Sequence, residues 1–484
     1  MNAKGVKGVA AAGVRWGGLA SALRAGLMMA RMAVLARLLS KHDFGVAQMV
    51  AMVLGYAQAY VDLGLSSSLI QKQERDPIKL STVFWVNMLG GLVSAAIVVA
   101  FKDVIASLLK EPELAPLIPL AVLSLPVLAL GQQFEALFQR DLRFKLVSGV
   151  QMVSDVGNTL VAVGMAYAGF GVRSLVVAQL VGAAIDSGAL FVLGMRQWPV
   201  RLVFRPREIR PHLRFGAYQL GNVNLGYLTS NIDNVLIGRL LGAEALGMYS
   251  VALRLTQMPR KYINPVISKV AFPVFAKRQD NYDKMAQALL SLQRSLSYVN
   301  LPLIVGLMLT SPLLVPLLYG EKWANAVPFV QVLCIVAIIN GIGGPTQIIR
   351  TALGHVRFNF YWTCSTGIIY ALGMWAGASE GLSGMVWART LVGIGIGIAL
   401  VGITLRFINS GLLAFLSAIR EPALATVAMT AAVYPVMALS RGLPVLVQLL
   451  LAVAVGAVVY LGAALLLDRA FVEKNVRLLL GAKH

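Results

Sequence analysis

The chain has 484 residues, of which 58% are apolar and only 13% are charged, and its mean hydropathy is +0.75. Since soluble globular domains carry about 25% charged residues, this composition excludes a sizeable soluble domain. The net charge of +21 would suit a nucleic-acid-binding protein, but the basic residues lie mainly in short connections between apolar runs, which argues against that use.

Fourteen apolar runs follow one another along the chain, and each is long enough for a membrane-spanning helix of about 20 residues. Because every backbone amide in lipid needs an internal partner, and the runs are too long for barrel strands, we expect helices. The chain is therefore predicted to be an all-α polytopic membrane protein with about 14 transmembrane helices. The first run contains charged residues and the tenth contains glycine and proline, so a count of twelve or thirteen transmembrane helices stays open. The runs lie at 9–39, 43–70, 80–101, 115–138, 147–169, 172–195, 215–240, 246–275, 294–318, 323–352, 357–378, 381–406, 422–440 and 444–467.

The longest polar connection, at 196–214, holds six arginines and three prolines and divides the chain near its middle. We interpret it as a basic cytoplasmic linker that lies on anionic lipid headgroups. It separates an N-terminal lobe of helices 1–6 (1–195) from a C-terminal lobe of helices 7–12 (215–406). Helices 13 and 14 and a cytoplasmic tail follow at 407–484, and these two helices carry charge only at their ends.

The two lobes are predicted to be copies of one six-helix repeat. RLLSKHDFG at 37–45 aligns with RLLGAEALG at 239–247, and GVRSLV at 171–176 resembles GLSGMV at 381–386. Because six crossings return the chain to the same side, the repeats would be parallel and related by an axis along the membrane normal. Most loop Lys and Arg residues then lie on the side of both termini, which the positive-inside rule assigns to the cytoplasm.

Six segments are typical of one family: ARLLSKHDFGVAQM at 36–49, DLGL at 62–65, QRDLRF at 139–144, DNVLIGRLLGAEALGMYSVALRL at 233–255, FPVFAKRQ at 272–279 and LYGEKW at 318–323. They resemble the polysaccharide-exporter (Wzx-like) lipid-linked oligosaccharide flippases of the multidrug/oligosaccharidyl-lipid/polysaccharide superfamily. The resemblance implies a V-shaped pair of lobes around a central cavity, in the bacterial cytoplasmic (inner) membrane. It also implies movement of an undecaprenyl-pyrophosphate-linked oligosaccharide repeat unit to the outer leaflet by alternating access, for exopolysaccharide, capsule or O-antigen synthesis.

Basic residues inside the predicted helices are the candidate substrate-binding groups. Arg24 and Arg31 are seven residues apart and so share one helix face, and Arg254 and Lys261 repeat that spacing in the eighth helix. A charge at the bilayer centre costs about 2.5–3.5 kcal/mol, so such residues should face a wet cavity or a partner. We predict a cationic cavity that binds the pyrophosphate. The alternative is that some of them, Lys261 above all, only snorkel to the headgroups.

Two acids in the spans, Asp62 and Asp233, are candidates for gating or ion coupling. The repeat offset brings Arg31 and Asp233 to corresponding positions, so we predict that they face each other across the lobes and pair in one conformation. Asp62 is more simply interpreted as a helix cap or a hydrogen-bonding partner. A coupling ion, sodium or proton, stays open.

No metal site and no cofactor are predicted. Two cysteines and four histidines show no metal-binding spacing, and no GxxxxGK[ST] pattern supports ATP hydrolysis. The chain is expected not to be an enzyme, because a membrane enzyme needs catalytic residues on outer loops and these loops are only a few residues long. The predicted partners are the oligosaccharide lipid, membrane lipids and the polymerase and export machinery, without nucleic acid. The alternatives are a multidrug exporter of the same superfamily and, less favoured, a membrane-embedded polysaccharide polymerase.

Prolines in the eighth helix and the GIGGP segment at 341–345 in the tenth indicate either breaks that line a cavity or static kinks.

Overall fold

The computed structural model describes residues 23–24, 26–276, 282–352, 356–408 and 410–480, and over these ranges it is helical and contains no strand. The first helix, α1, covers residues 26–38. The others are α2 (Lys41–Asp62), α3 (Leu65–Lys72), α4 (Pro77–Ala100), α5 (Lys102–Leu109), α6 (Leu114–Val122), α7 (Ser124–Arg140), α8 (Phe144–Tyr167), α9 (Val172–Met195), α10 (Arg210–Ala276), α11 (Tyr282–Tyr319), α12 (Val327–Ala352), α13 (Val356–Ala376), α14 (Gly381–Phe407), α15 (Leu412–Leu439) and α16 (Val445–Leu480).

Eleven segments of the described chain are long and apolar enough to cross a membrane, which confirms the prediction of an all-α polytopic membrane protein. Two of the eleven contain two predicted spans each, Val223–Met258 and Phe358–Phe407. The first holds a break at Gly242 (φ 86°, ψ 178°), and the second is divided by a 3₁₀ turn at Gly377–Glu380. The first predicted run begins outside the described residues, so the count of fourteen stays a prediction.

Several predicted boundaries differ from the observed helices. The run 43–70 is two helices, because Leu63 (φ 48°) and Gly64 (φ 71°) adopt left-handed backbone conformations that end α2. Of the two interpretations of the prolines of the eighth helix and of 341–345, breaks or static kinks, the structure argues against breaks, since the backbone of α10 and of α12 is helical through both places. The thirteenth predicted helix also carries internal charge, because α15 begins at Leu412 and therefore contains Glu421.

The chain packs as two compact units, Met1–Ser250 and Val251–His484. In the first unit, α8 packs against α9, α7 against α9 and α4 against α7. Aromatic rings fill its core, where Phe134 is fully buried and lies 6.1 Å from Phe84 and 5.8 Å from Phe191 between ring centroids. The predicted lobes at 1–195 and 215–406, the linker at 196–214 and the segment 407–484 stay predictions, as does their V-shaped arrangement.

Within the first unit, α2 and the early part of α10 approach backbone to backbone at glycines. A Cβ atom added at Gly45 would lie 1.8 Å from the carbonyl oxygen of Ala243, and one at Gly247 would lie 1.9 Å from that of Lys41. Nearer the other end of α2, Tyr227 donates a hydrogen bond of 2.9 Å to the carbonyl of Met52. Small residues at helix contacts permit such close packing in membranes.

We expect Gly45→Ala to destabilise the first unit, because the new methyl group would overlap the backbone of α10. Overpacking of this kind costs about 1–3 kcal/mol. The matched control is Gly226→Ala in α10, where no atom lies within 4 Å of the added Cβ. Thermal unfolding in detergent checks this: equal melting temperatures for the two variants would contradict the packing argument.

The connection between α9 and α10 is held to the start of α4 by its backbone. The N–H of Arg201 donates to Ser81 Oγ (2.9 Å), and that of Arg205 donates to Thr82 Oγ1 (3.2 Å). Trp85 Nε1 in turn donates to the carbonyl of Arg201 (3.0 Å). This connection is therefore anchored to the protein itself, which the prediction of a segment lying on lipid headgroups did not foresee.

His212, just after this connection, is buried beside Glu74. Its Nδ1 lies 2.7 Å from Ser68 Oγ and its Nε2 lies 3.4 Å from Glu74 Oε2. Burial, with the nearby charge of Lys72, lowers the pKa of His212 below its usual 6.5. Burial opposes ionisation of Glu74, but backbone N–H groups and the Lys79 ammonium outweigh it and bring the pKa of Glu74 to about 2.

These two shifts predict that the protein loses stability in two steps as the pH is lowered. Because the folded pKa of His212 is depressed, its contribution is complete above pH 6.5 and is lost as the pH falls further; that of Glu74 is lost from pH 4.5 towards about 2. His212→Gln should remove the first step and Glu74→Gln the second, as measured by melting temperature against pH. If the melting temperature of His212→Gln fell between pH 7 and pH 5 as much as that of the unaltered protein, the assignment of the first step to His212 would be contradicted.

In the second unit, α11 packs against α12, α15 and α16, and α15 packs against α16. An ionic cluster joins three of these helices. Arg294 Nη2 of α11 lies 2.7 Å from Asp468 Oδ2 of α16 and 3.4 Å from Glu421 Oε2 of α15. The Tyr298 hydroxyl donates to Asp468 Oδ2 (2.9 Å), and the Arg294 guanidinium lies 4.8 Å from the centre of the Phe471 ring.

Candidate functional site

Both predicted arginines of the first helix contact polar side chains of α8. Arg24 Nε donates to Asp155 Oδ2 at 2.6 Å, and Arg24 Nη1 donates to Gln151 Oε1 at 2.7 Å. Arg31 Nη1 donates to Asn158 Oδ1. The side chains of Arg24 and Asp155 are 35% and 36% exposed, so this pair is half-buried rather than sealed.

The partners on α8 repeat the spacing of the arginines, and sequence reasoning missed this. Gln151, Asp155 and Asn158 lie at positions i, i+4 and i+7, which places them on one helix face. Gln151 and Asn158 are seven residues apart, as are Arg24 and Arg31. Matching a basic stripe in one span to a polar stripe of equal spacing in another would have found the contact.

Two further carboxylates lie behind this contact. Gln151 Nε2 donates to Glu135 Oε1 (3.1 Å), and Gln139 Nε2 donates to the same oxygen (3.0 Å). Asp186 of α9 interacts electrostatically with Glu135 and with Arg24. Its Oδ1 is buried and has no hydrogen-bond partner among the described residues.

The result is a membrane-embedded polar network of two arginines and three carboxylates: Arg24, Arg31, Asp155, Glu135 and Asp186. An arginine can present a planar fork to a phosphate group. Here, however, Asp155 occupies part of the Arg24 fork, so an anionic ligand has to displace or add to that carboxylate. The network holds three carboxylates and only two arginines, so one negative charge is in excess. This excess makes the network a suitable place for a proton or a sodium ion.

The two predicted gating acids have local partners. Asp62 Oδ1 accepts from the N–H of Ser66 (3.0 Å) and from its hydroxyl, so it is a hydrogen-bonding partner of the first turn of α3, in line with the simpler interpretation of this residue. Asp233 is buried in α10, where it accepts a hydrogen bond from the Tyr249 hydroxyl and one of 2.9 Å from the N–H of Asn234. Its pairing with Arg31 stays a prediction.

The predicted basic pair of the eighth helix lies in the later part of α10. Arg254 is half-buried and within electrostatic range of Tyr319, at the end of α11. Lys261 belongs to α10, but its side chain lies outside the described residues. The cationic cavity shared by Arg24, Arg31, Arg254 and Lys261 therefore stays a prediction.

Sequence analysis did not single out Arg350, although it lies near the end of the predicted run 323–352. Arg350 lies in the last turn of α12 and is only 3% exposed. Its guanidinium donates to Thr404 Oγ1 (2.6 Å), Thr346 Oγ1 (3.2 Å) and Asn359 Oδ1 (3.1 Å). Within the described part of the second unit these partners are all neutral, so the cation is solvated by side-chain oxygens.

Among the residues that the structure describes, one group of potential metal ligands lies in the first unit. His42 Nε2 lies 3.2 Å from Glu111 Oε2, and His42 Nδ1 lies 3.9 Å from Glu113 Oε2. Two carboxylates thus face opposite nitrogens of one ring. This suits a hydrogen-bonded imidazole joining α2 to the turn between α5 and α6, because a metal ion takes only one nitrogen of a histidine ring.

Comparison with known proteins places the chain in a family. Residues 34–328, more than half of the chain, match the family described as polysaccharide biosynthesis protein. The chain is 31% identical to the lipopolysaccharide biosynthesis protein WzxC of Escherichia coli K12, over 72% of this chain and 71% of that protein. It is 29% identical to the teichuronic acid biosynthesis protein TuaB of Bacillus subtilis 168, over 88% of each.

Solved structures share the fold at low sequence identity. The lipid II flippase MurJ in an inward closed conformation superimposes with a TM-score of 0.75 and 15% identity, over 94% of this chain and 99% of that one. An inward-facing multidrug resistance MATE transporter of the MOP superfamily gives 0.64 and 16%, over 80% and 94%. The resemblance to the Wzx-like exporters is confirmed: the chain belongs to the polysaccharide biosynthesis protein family.

Proposed function

We propose that this protein is a flippase that moves an undecaprenyl-pyrophosphate-linked oligosaccharide repeat unit from the cytoplasmic to the outer leaflet by alternating access. Its setting would be the bacterial cytoplasmic membrane, with both termini cytoplasmic, during polysaccharide synthesis. Family membership supports the pathway, and a relative named succinoglycan biosynthesis transport protein (27% identical, Rhizobium meliloti 1021) supports transport. A polymerase and export machinery would act next on the product.

The observation that carries the proposal is the pair Arg24 and Arg31 inside the membrane network. Placing a cation in an apolar span costs free energy, and this cost has to be offset by a ligand or a partner. A pyrophosphate is a dianionic or more highly charged group that two arginines on one helix face can bind. The buried oxygen of Asp186 supports an ion gradient, of protons or sodium, as the driving force.

The multidrug exporter is the second candidate, favoured by the MATE-like fold. The network argues against it, because an organic cation would meet two guanidinium groups. An enzyme, such as a polysaccharide polymerase, is disfavoured because the polar residues brought together here lie within helices and include no nucleophile beside a base.

The test is transport by the purified protein in proteoliposomes. A fluorescent polyprenyl-pyrophosphate oligosaccharide in the inner leaflet should become accessible to an external glycosidase at a rate above that of empty liposomes. Efflux of ethidium is measured in the same vesicles. Transport of ethidium without translocation of the oligosaccharide lipid would overturn the proposal in favour of the exporter.

A further inference from the structure

An open groove runs between α8 and α9 on the outside of the first unit. Its volume is about 630 Å³, and its walls are apolar: Leu146, Gly149, Val150, Val153, Ile185 and Ala189. The volume lies within the range of about 300–1,000 Å³ that suits one small ligand. The floor at Gly149 is open, since no atom lies within 4 Å of a Cβ added there.

This groove faces away from the polar network. Its α8 residues, Leu146, Gly149, Val150 and Val153, follow each other at helical spacings of three and four and form one stripe. At about 100° per residue, that stripe lies roughly opposite the face that carries Gln151 and Asp155. A strongly exposed Val153 (62%) marks it as a surface that meets the membrane rather than a transport path through the protein.

Two cations close one end of the groove. Arg143 and Lys145 belong to its lining and are exposed, and Arg143 immediately precedes α8 without giving it a side-chain cap. Among the described residues, Arg143 has no acidic partner. A helix N-terminus beside two cations favours a phosphate group, and the apolar stripe below favours a hydrocarbon chain.

The length of the groove identifies the kind of lipid. From Arg143 to Val153 the chain advances ten residues, or about 15 Å along the helix axis at 1.5 Å per residue. That is half of the hydrocarbon core of about 30 Å, the thickness of one leaflet. It matches one acyl chain below its headgroup, whereas a polyprenyl chain would extend far beyond Val153.

We propose that this groove is a binding site for one anionic phospholipid, whose phosphate contacts Arg143 and Lys145 and whose acyl chain lies along Gly149 and Val153. The site is separate from the transport network and does not depend on the proposed function. It fits the leaflet on the basic side of the protein, because anionic headgroups concentrate where Lys and Arg do.

The test is lipid binding by the delipidated, full-length protein, measured by native mass spectrometry with phosphatidylglycerol and phosphatidylcholine. The variant with both Arg143→Ala and Lys145→Ala should bind phosphatidylglycerol more weakly by about fivefold per cation removed and bind phosphatidylcholine as before. Gly149→Leu should displace both lipids. Gly164→Leu, an equally open glycine of α8 outside the groove, is the matched control and should bind as the unaltered protein does.

Melting temperatures show whether each variant is folded, and the binding comparison uses only variants that melt as the unaltered protein does. If Gly149→Leu unfolds, Gly149→Val repeats the test with a smaller group. Unchanged phosphatidylglycerol affinity in the doubly substituted variant would overturn the proposal. So would an affinity for undecaprenyl phosphate that exceeds that for phosphatidylglycerol and is lost in Gly149→Leu, because the groove would then belong to the transported lipid.

Discussion

Arg24→Ala is expected to slow translocation of the oligosaccharide lipid about 10- to 100-fold in proteoliposomes. The guanidinium makes charge-assisted hydrogen bonds to Asp155 and Gln151, and the proposed pyrophosphate would take over such bonds during transport. Hydrogen bonds to a charged group contribute about 1.5–3 kcal/mol each, which corresponds to the expected factor. Arg24→Lys should recover part of the rate, since it keeps the charge but loses the planar fork.

A second variant separates substrate binding from internal charge balance. Arg24→Ala leaves Asp155 without its cation, which alone could disturb the fold or the conformational equilibrium. Combining Arg24→Ala with Asp155→Asn removes that imbalance. If Arg24 binds substrate, the double variant stays slow; if the rate returns, Arg24 serves only to neutralise Asp155, and its role as a substrate ligand is wrong. Arg37→Ala, an exposed arginine at the end of α1, is the control and should transport normally.

Removing Arg294 is expected to have the largest effect on stability. Arg294→Met leaves Asp468 and Glu421, whose side chains are only 11% and 14% exposed, without their shared cation. Breaking a buried ion pair costs about 3–5 kcal/mol, and the lower end applies because Arg294 itself is 29% exposed. The melting temperature should therefore fall by about 5–10 °C.

Rescue identifies the cause of that loss. Adding Asp468→Asn to Arg294→Met removes the carboxylate that loses its cation, whereas Glu421 keeps its ion pair with Arg420, and should restore most of the melting temperature. Arg469→Met breaks a neighbouring ion pair, with Glu473, whose arginine is 80% exposed. It should leave the melting temperature almost unchanged, because exposed ion pairs contribute little to stability. If Arg469→Met lowered the melting temperature as much as Arg294→Met does, the loss would reflect the removal of any charge at this end of α16 and not the Arg294 cluster.

Hydropathy predicted the bounds of a span well where the run is bordered by a glycine that adopts a left-handed backbone conformation. The predicted runs 172–195 and 381–406 match α9 and α14 almost residue for residue, and in both cases a glycine with positive φ, Gly171 or Gly381, stands at the start. The division of α2 from α3 was missed because Leu63, a residue that seldom adopts a left-handed conformation, is the one that ends the helix.

The candidate site was predictable in part. Arg24 and Arg31 stood out because charge is costly in an apolar span, and that argument needs only local sequence. Their partners on α8 lie more than a hundred residues away, and whether Asp155 contacts Arg24 or another helix depends on packing. The same limit hid the Arg294 cluster and the buried Arg350, because neither hydropathy nor charge spacing reveals where a neighbouring helix lies.

The Arg294 cluster also imposes an order on biosynthesis. Arg294 is translated 174 residues before Asp468 and 127 before Glu421, with several helices in between. At a translation rate of about 5–20 residues per second, roughly 10–35 s pass between the synthesis of Arg294 and that of Asp468. During that interval the nascent α11 must keep its cation at the water or headgroup level. A defect at Asp468 should therefore appear as late degradation of fully inserted chains rather than as failed insertion.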